Sequence, residues 1–170
     1  LTRRSGTSHK SGIMWLSIAI YNARKAGADG HCIHPRLEKP LSNEAEASAN
    51  TLKRLWWRCI IRDRVLPLTA RCDVQITRSN YEFDHSPVIG LSDLSDEIEG
   101  SEVYDALTKA SLINVLTRLV ELCVILTDVL TEVTVTSHQN MQANRIEIYR
   151  DSLIAWYDTL PLEPHEQDHR

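Results

Sequence analysis

Apolar residues recur at helical spacing along most of this chain, and one stretch shows the pattern most clearly. The stretch reads LKRLWWRCIIRDR and covers residues 52–64. Positions i, i+3, i+4, i+7, i+8 and i+11 lie on one face of a helix with about 3.6 residues per turn. Here those positions hold Leu52, Leu55, Trp56, Cys59, Ile60 and Asp63. The pattern predicts a helix that buries this face, although its last member is a carboxylate.

Three further segments have the same periodicity, so four main helices are predicted. Gly27 is expected to end the first helix. Asn43, with Glu46 three residues later, forms a plausible capping box at the start of the second. Pro67 lacks a backbone donor and is expected to end or kink the second helix near Leu66. The predicted helices cover residues 11–26, 43–66, 103–133 and 140–160.

The apolar faces of the other helices predict how they pack. The third helix is apolar almost all round and should therefore lie in the centre. The face of the first helix, including three residues that widen it, consists of Ile13, Leu16, Ile20, Ala23, Trp15, Ile18 and Ala19. The face of the last helix consists of Ile146, Tyr149, Leu153, Trp156 and Leu160.

Two connecting segments separate the second helix from the third. Residues 73–81 are predicted to be an extended connector, with Val74 and Ile76 on one side. Residues 84–102 are acidic and rich in turn formers, which predicts a loop or short helical turns.

No two strand-like segments are joined by a hairpin turn, so an all-α domain is predicted. It should contain at least four main helices, with the long helix at about 103–133 in the centre. A chain of 170 residues suits one domain with its own core. The expected organisation is a frayed N-terminus at 1–10, the helical domain at 11–161 and a polar tail at 162–170.

Charge and hydropathy narrow the classes of function. The net charge of −4 and the pI of about 6.0 argue against a free-standing nucleic-acid binder, which carries a basic face. No apolar run is expected to reach the roughly 20 residues of a membrane span, so no membrane contact is predicted.

The four cysteines stand singly in the sequence, at Cys32, Cys59, Cys72 and Cys123. Because no CxxC pair occurs, a zinc ribbon or finger is not predicted. A reduced, intracellular protein is the simplest interpretation. His31, Cys32 and His34 are close together, but no fourth ligand with helical spacing is nearby. We therefore predict neither a bound metal nor a cofactor.

Asp63 is the charged residue on the apolar face of the second helix. A buried carboxylate without a partner is costly, or its pKa is raised. Arg58, Arg62, Arg64 and Arg71 are all within reach along the chain. We predict a structural ion pair between Asp63 and Arg64; the alternative is a general acid or base in a cavity.

Trp57 lies about 100° around the helix from Trp56 and can serve either the core or a pocket. With the nearby arginines it gives a set of candidate ligand-binding residues: Trp57, Arg58, Arg62 and Arg71. No glycine-rich phosphate loop, nucleophile elbow or HExxH motif occurs, so no catalytic residue is predicted.

The second helix and its surroundings resemble the fungal-specific transcription factor domain, the middle homology region of fungal zinc-cluster regulators. The family shows a basic-Leu-Trp-Trp start, an Asp-Arg pair, a small-Arg turn, an extended segment and then acidic residues. Here these are residues 54–57, 63–64, 70–71, 74–76 and 81–84. The segments 15–27 and 153–161 are also similar, so the resemblance covers roughly residues 11–161.

The resemblance implies a regulatory domain of a fungal transcription regulator, non-catalytic in itself and nuclear. It would sense a small-molecule metabolite or hold an activation domain inactive, with protein partners or a second copy as further contacts. The six-cysteine zinc cluster of the family is absent from this sequence, so no direct DNA contact is expected. The alternative is a copy, nuclear or cytoplasmic, repurposed as a small-molecule binding protein or an enzyme of fungal secondary metabolism.

The sequence also departs from the family's pattern at the end of the second helix. The family's small-Gly-Arg-Pro turn is Ala70-Arg71-Cys72 here, and Pro67 stands where the family usually has a serine.

Overall fold

The computed structural model describes residues 5–30, 43–84, 88–100, 102–135 and 143–160. Within these ranges the protein has five α-helices, one short 3-10 helix and no strand, so the predicted all-α fold is confirmed. The elements are α1 (Ser5–Lys25), α2 (Asn43–Ala70), the 3-10 helix (Leu91–Asp93), α3 (Ser95–Gly100), α4 (Ala106–Val135) and α5 (Ala143–Asp158).

Helix α1 packs against α2. Leu16, Ile20 and Ala23 are buried, as the predicted apolar face requires. Trp15, Ile18 and Ala19 do not widen this face, because all three are exposed, Trp15 to 62%. Among the described elements α2 is the main neighbour of α1, and one neighbour covers only a single stripe of a helix.

Helix α2 contacts α1 and also α4. Trp56, Cys59 and Ile60 are buried as predicted, but Leu55 is 40% exposed and Trp57 only 1%. With neighbours on two sides, the covered sector of α2 is wider than the predicted stripe and includes Trp57. The solvent face of α2 consists of Glu44, Ala47, Ser48, Thr51, Leu55, Arg58, Arg62, Val65, Leu68 and Thr69.

The C-terminal end of α2 lies beyond its proline. The helix continues through the buried Pro67 to Ala70, so the prediction that it ends near Leu66 is wrong. Pro67 cannot donate to the carbonyl of Asp63, but the loss of one bond does not stop the helix. The carbonyl of Pro67 accepts the N–H of Arg71 at 3.0 Å. Arg71 has a φ of 49°, the left-handed conformation that commonly closes a helix.

Helix α1 ends in the way predicted for a glycine. Gly27 has a φ of 75°, and its N–H donates to the carbonyl of Arg24 at 2.9 Å. The N–H of Ala28 donates to the carbonyl of Ala23 at 3.0 Å. These two bonds form the Schellman motif, in which glycine avoids the strain that a side chain would introduce.

The acidic segment before α4 is attached to α2 by charge. Lys53 Nζ lies 2.7 Å from Asp93 Oδ2. Arg54 Nε donates to the carbonyl of Asp93 at 2.9 Å, and its guanidinium also pairs with Asp96 and Glu97. The short helical turns foreseen for this segment therefore dock on the N-terminal half of α2.

Helix α4 contacts α2, α3 and α5, which gives it the central place expected of the long helix. Its buried residues are Ile113, Val120, Cys123, Thr127 and Leu130. It is not buried all round, because Leu112 and Val115 are exposed.

Contrary to expectation, Ala106–Val133 is long and apolar enough to cross a membrane, and 22% of its most apolar window is buried. A single helix of this kind is weak evidence for a membrane span, and the absence of membrane contact stays a prediction.

Helix α5 packs on the outside of α4. The indole Nε1 of Trp156 donates to the carbonyl of Arg118 at 3.1 Å, and Leu153 is partly buried. Ile146, the first member of the predicted face, is exposed. Since none of the described side chains of α5 is fully buried, it is the least embedded of the long helices.

Two substitutions of opposite direction test the helix ends. Arg71→Gly should raise the free energy of unfolding by about 0.5–1 kcal/mol. Glycine adopts the left-handed conformation without strain, and this gain exceeds the extra backbone entropy that glycine loses on folding. Gly27→Ala should lower the free energy of unfolding by about 1 kcal/mol. The added methyl group has space, since no atom lies within 4 Å of the Cβ position. Urea denaturation measures both, and a change of the same sign in the two variants would contradict this account.

Candidate functional site

Arg64 is a fully buried arginine that bonds to three separate parts of the fold. Its Nε lies 3.0 Å from the hydroxyl of Thr127 and 3.2 Å from the carbonyl of Cys123, both on α4. Its Nη2 donates to the carbonyl of Ile76 at 2.6 Å. Its Nη1 donates to Asp63 Oδ2 at 2.6 Å, so the predicted pair of Asp63 and Arg64 is present.

Asp63 completes this arrangement from the same helix. Its carboxylate accepts the backbone N–H of Gln75 at 3.0 Å and that of Ile76 at 2.8 Å. Both charged side chains are only 1% exposed. The Asp63–Arg64 pair therefore joins α2, the segment after it and α4 through bonds that satisfy both charges.

Burial has the expected electrostatic effects around this pair. It lowers the pKa of Arg64, an effect that the charge of Asp63 opposes. The charge of Asp63 and its hydrogen bond to Arg64 both favour the protonated guanidinium. Burial raises the pKa of the Cys123 thiol to about 11. It also raises the pKa of the Cys59 thiol, and the nearby negative charge of Asp63 raises that pKa further. These thiols are therefore protonated at neutral pH, which suits core residues better than nucleophiles.

The four candidate ligand-binding residues are not brought together. Trp57 is packed in the core, and its Nε1 has no hydrogen-bond partner among the described residues. Arg58 and Arg62 lie on the solvent face of α2, and Arg71 is exposed at its C-terminal end. None of the four lines the cavities described below, so ligand binding by them stays a prediction.

A cavity of about 440 Å³ lies elsewhere, between the segment after α2 and the facing parts of α4 and α5. We call it the polar cavity because four charged side chains line it, although most of its exposed surface is apolar. This volume falls within the roughly 300–1,000 Å³ typical of small-molecule sites. The residues that line the polar cavity are Thr77, Arg78, Ser79, Asp128, Thr131, Glu132, Arg145, Ile148 and Tyr149.

The charges of the polar cavity are arranged in pairs. Arg78 Nε lies 2.7 Å from Asp128 Oδ1, and its Nη1 lies 2.8 Å from Asp84. The hydrogen bond that Arg78 donates to Asp128 is the main reason that the pKa of Arg78 is raised. Arg145 Nη1 lies 2.6 Å from Glu132 Oε2, across the gap between α5 and α4.

The polar cavity adjoins the Asp63–Arg64 pair along two stretches of chain. Ile76, which bonds to both members of the pair, directly precedes the cavity residue Thr77. Thr127, which accepts from Arg64, directly precedes the cavity residue Asp128. Sequence reasoning missed this site, because the bond between Arg78 and Asp128 joins residues 50 positions apart and leaves no local pattern.

A second cavity, of about 370 Å³, lies between α4 and α5 and is mainly apolar. A third, of about 190 Å³, lies near α3 and includes Tyr104 and Lys109. The second is lined by Asn114, Val115, Arg118, Leu119, Leu122, Trp156 and Leu160. It offers contact area but few groups that could orient a ligand.

The described ranges contain no group of three or more histidine, cysteine, aspartate or glutamate side chains placed to hold a metal ion. His31, Cys32 and His34 lie outside the described residues, as does the predicted tail at 162–170. The side chain of Asn43 is not described either, so its capping box stays a prediction.

Comparison with known proteins adds no relative to this picture. No protein-family model matches the chain, and neither a curated protein nor a solved structure matches it.

Removing one charge of the pair tests its place in the fold. Asp63→Asn should lower the free energy of unfolding by about 3–5 kcal/mol, because it leaves the buried charge of Arg64 without its counter-ion. Urea denaturation measures the change. Arg62→Gln is the matched control one residue away on the exposed face, where about 0.5 kcal/mol or less is expected. Equal stability of the two variants would contradict a structural role for the pair.

Proposed function

We propose that this chain is a regulatory helical domain of the kind found in fungal zinc-cluster transcription regulators, non-catalytic in itself. In this role it holds an attached activation domain inactive until a small molecule binds. The proposal begins from the resemblance of residues 54–71 and the flanking helices to that family. It places the protein in the nucleus, with a metabolite and protein segments as its partners.

One observation carries the proposal. One face of the resembling block forms the buried centre of the fold, with Trp56 and Trp57 in the core and the Asp63–Arg64 pair bonded to α4. The block therefore acts as a scaffold, and it positions the segment that lines the polar cavity. A scaffold of this kind, beside a cavity of small-molecule size, is the architecture that a ligand-sensing domain needs.

The polar cavity also favours a second candidate function. A copy that works without a DNA-binding part could use the same cavity as a small-molecule binding protein. Carboxylates hold the two arginines of the cavity in place, Asp128 for Arg78 and Glu132 for Arg145. Side chains fixed in this way are suited to orienting a ligand. The two candidates share the site and differ in whether binding is read out by an activation domain.

A reporter experiment tests the regulatory role. The chain is inserted between an unrelated DNA-binding domain and an activation domain, and reporter output in yeast is compared with that of a fusion carrying a flexible linker. We expect the inserted chain to lower the output severalfold. Arg64→Ala should restore it, because the domain loses its buried centre, whereas Arg62→Ala on the exposed face should leave it low.

Immunoblots of the fusion proteins show whether all variants reach comparable amounts. An inserted wild-type chain that leaves reporter output at the level of the linker control would contradict the regulatory proposal.

A further inference from the structure

The polar cavity has a lining that selects for one class of ligand. We infer that it binds a small, uncharged polyhydroxyl molecule, such as a sugar or a cyclitol. This inference rests on the proposed function for its biological meaning, because it names the ligand that the regulatory domain would sense. The cavity, its charges and its hydroxyl groups carry it.

The charged side chains that line the polar cavity balance each other. The lining contains two guanidinium groups, Arg78 and Arg145, and two carboxylates, Asp128 and Glu132. Each guanidinium is already bonded to a carboxylate, at 2.7 Å and 2.6 Å. An anionic ligand would meet Asp128 and Glu132, and a cationic ligand would meet the arginines. Because the four charges of the lining already balance in pairs, neither an anion nor a cation finds an unpaired counter-charge there, and an uncharged ligand is favoured.

The lining of the polar cavity also offers groups that can form hydrogen bonds to a ligand. A guanidinium has five N–H donors, and the one bond described for Arg145 uses Nη1. Three hydroxyl groups also line the cavity; those of Thr77 and Ser79 bond to each other, and that of Thr131 donates to the carbonyl of Thr127. A ligand hydroxyl both donates and accepts, so it can bond to carboxylate and guanidinium alike. A polyhydroxyl ligand matches this mixed lining at several points.

Part of the wall of the polar cavity is apolar. Ile148 and Tyr149 both line the cavity from α5, Ile148 with much of its side chain exposed. An aromatic ring and an aliphatic side chain can cover the C–H face of a sugar, while the polar groups opposite fix its orientation. The lining thus combines Ile148, Tyr149 and Arg145 from α5 with the mainly polar groups of residues 77–79 and α4.

The position of the cavity indicates what binding would change. Its walls come from residues 77–79, from α4 and from α5, and α5 is the long helix with no fully buried side chain among those described. A ligand that bonds to Arg145 and to residues 77–79 adds contacts between α5 and the rest of the domain. Binding would therefore hold α5 in place, and this is the change that an attached activation domain could read.

Ligand-observed saturation-transfer NMR on the whole chain tests the inference with four probes. They are myo-inositol as the uncharged polyol, D-gluconate as an anion, D-glucosamine as a cation and L-serine as a zwitterion. We expect saturation transfer to myo-inositol alone. Arg145→Ala should weaken that binding by about tenfold or more, because it removes hydrogen bonds from a charged donor. Arg150→Ala is the matched control on the same helix, outside the cavity lining, and should bind as the wild type does.

Three results would overturn the inference: no binding of myo-inositol to the wild type, preference for a charged or zwitterionic probe, or equal loss of binding in Arg145→Ala and Arg150→Ala. Circular dichroism shows whether both variants remain folded, which is expected since both side chains are largely exposed. The reporter experiment separates this inference from the proposed function. Repression without myo-inositol binding refutes the ligand class alone, and myo-inositol binding without repression refutes the regulatory role alone.

Discussion

The buried pair of Asp63 and Arg64 is the interaction on which the rest of this structure depends. Buried ion pairs often contribute little net stability, because desolvation offsets their attraction. This pair does more than neutralise itself, because it bonds to backbone groups of Gln75 and Ile76, which lie outside any helix. Buried backbone groups outside helices and sheets need partners of this kind. An apolar replacement of the same shape would leave those groups unsatisfied, which makes the pair a structural requirement.

This constraint links the parts of the molecule that matter for function. The pair fixes Ile76, and the next residues, Thr77 and Arg78, form one wall of the polar cavity. It also bonds to Thr127, whose neighbour Asp128 forms the facing wall and binds Arg78. The cavity is therefore built on two anchored walls and a third wall, α5, that is less embedded. A regulatory domain that senses a small molecule needs this combination of a rigid site and an element that binding can hold in place.

The helical architecture could be predicted from the sequence, because apolar periodicity and Gly27 act over a few residues and report local structure. The pair of Asp63 and Arg64 could also be predicted, since a carboxylate on an apolar face demands a neighbouring cation. Three features could not. The burial of Trp57 depends on where α1 and α4 pack around α2, and the end of α2 is set by the left-handed Arg71 rather than by Pro67. The polar cavity depends on contacts between distant segments, which no local pattern records.

Amide hydrogen exchange measures the central claim most directly. The N–H groups of Gln75 and Ile76 lie outside any helix, and Asp63 is the partner that accepts both. If the Asp63–Arg64 pair is as embedded as the structure indicates, these amides exchange only on global unfolding, as slowly as that of Ile60 in the core of α2. Exchange of Gln75 and Ile76 as fast as that of the exposed Ser79 would contradict the account.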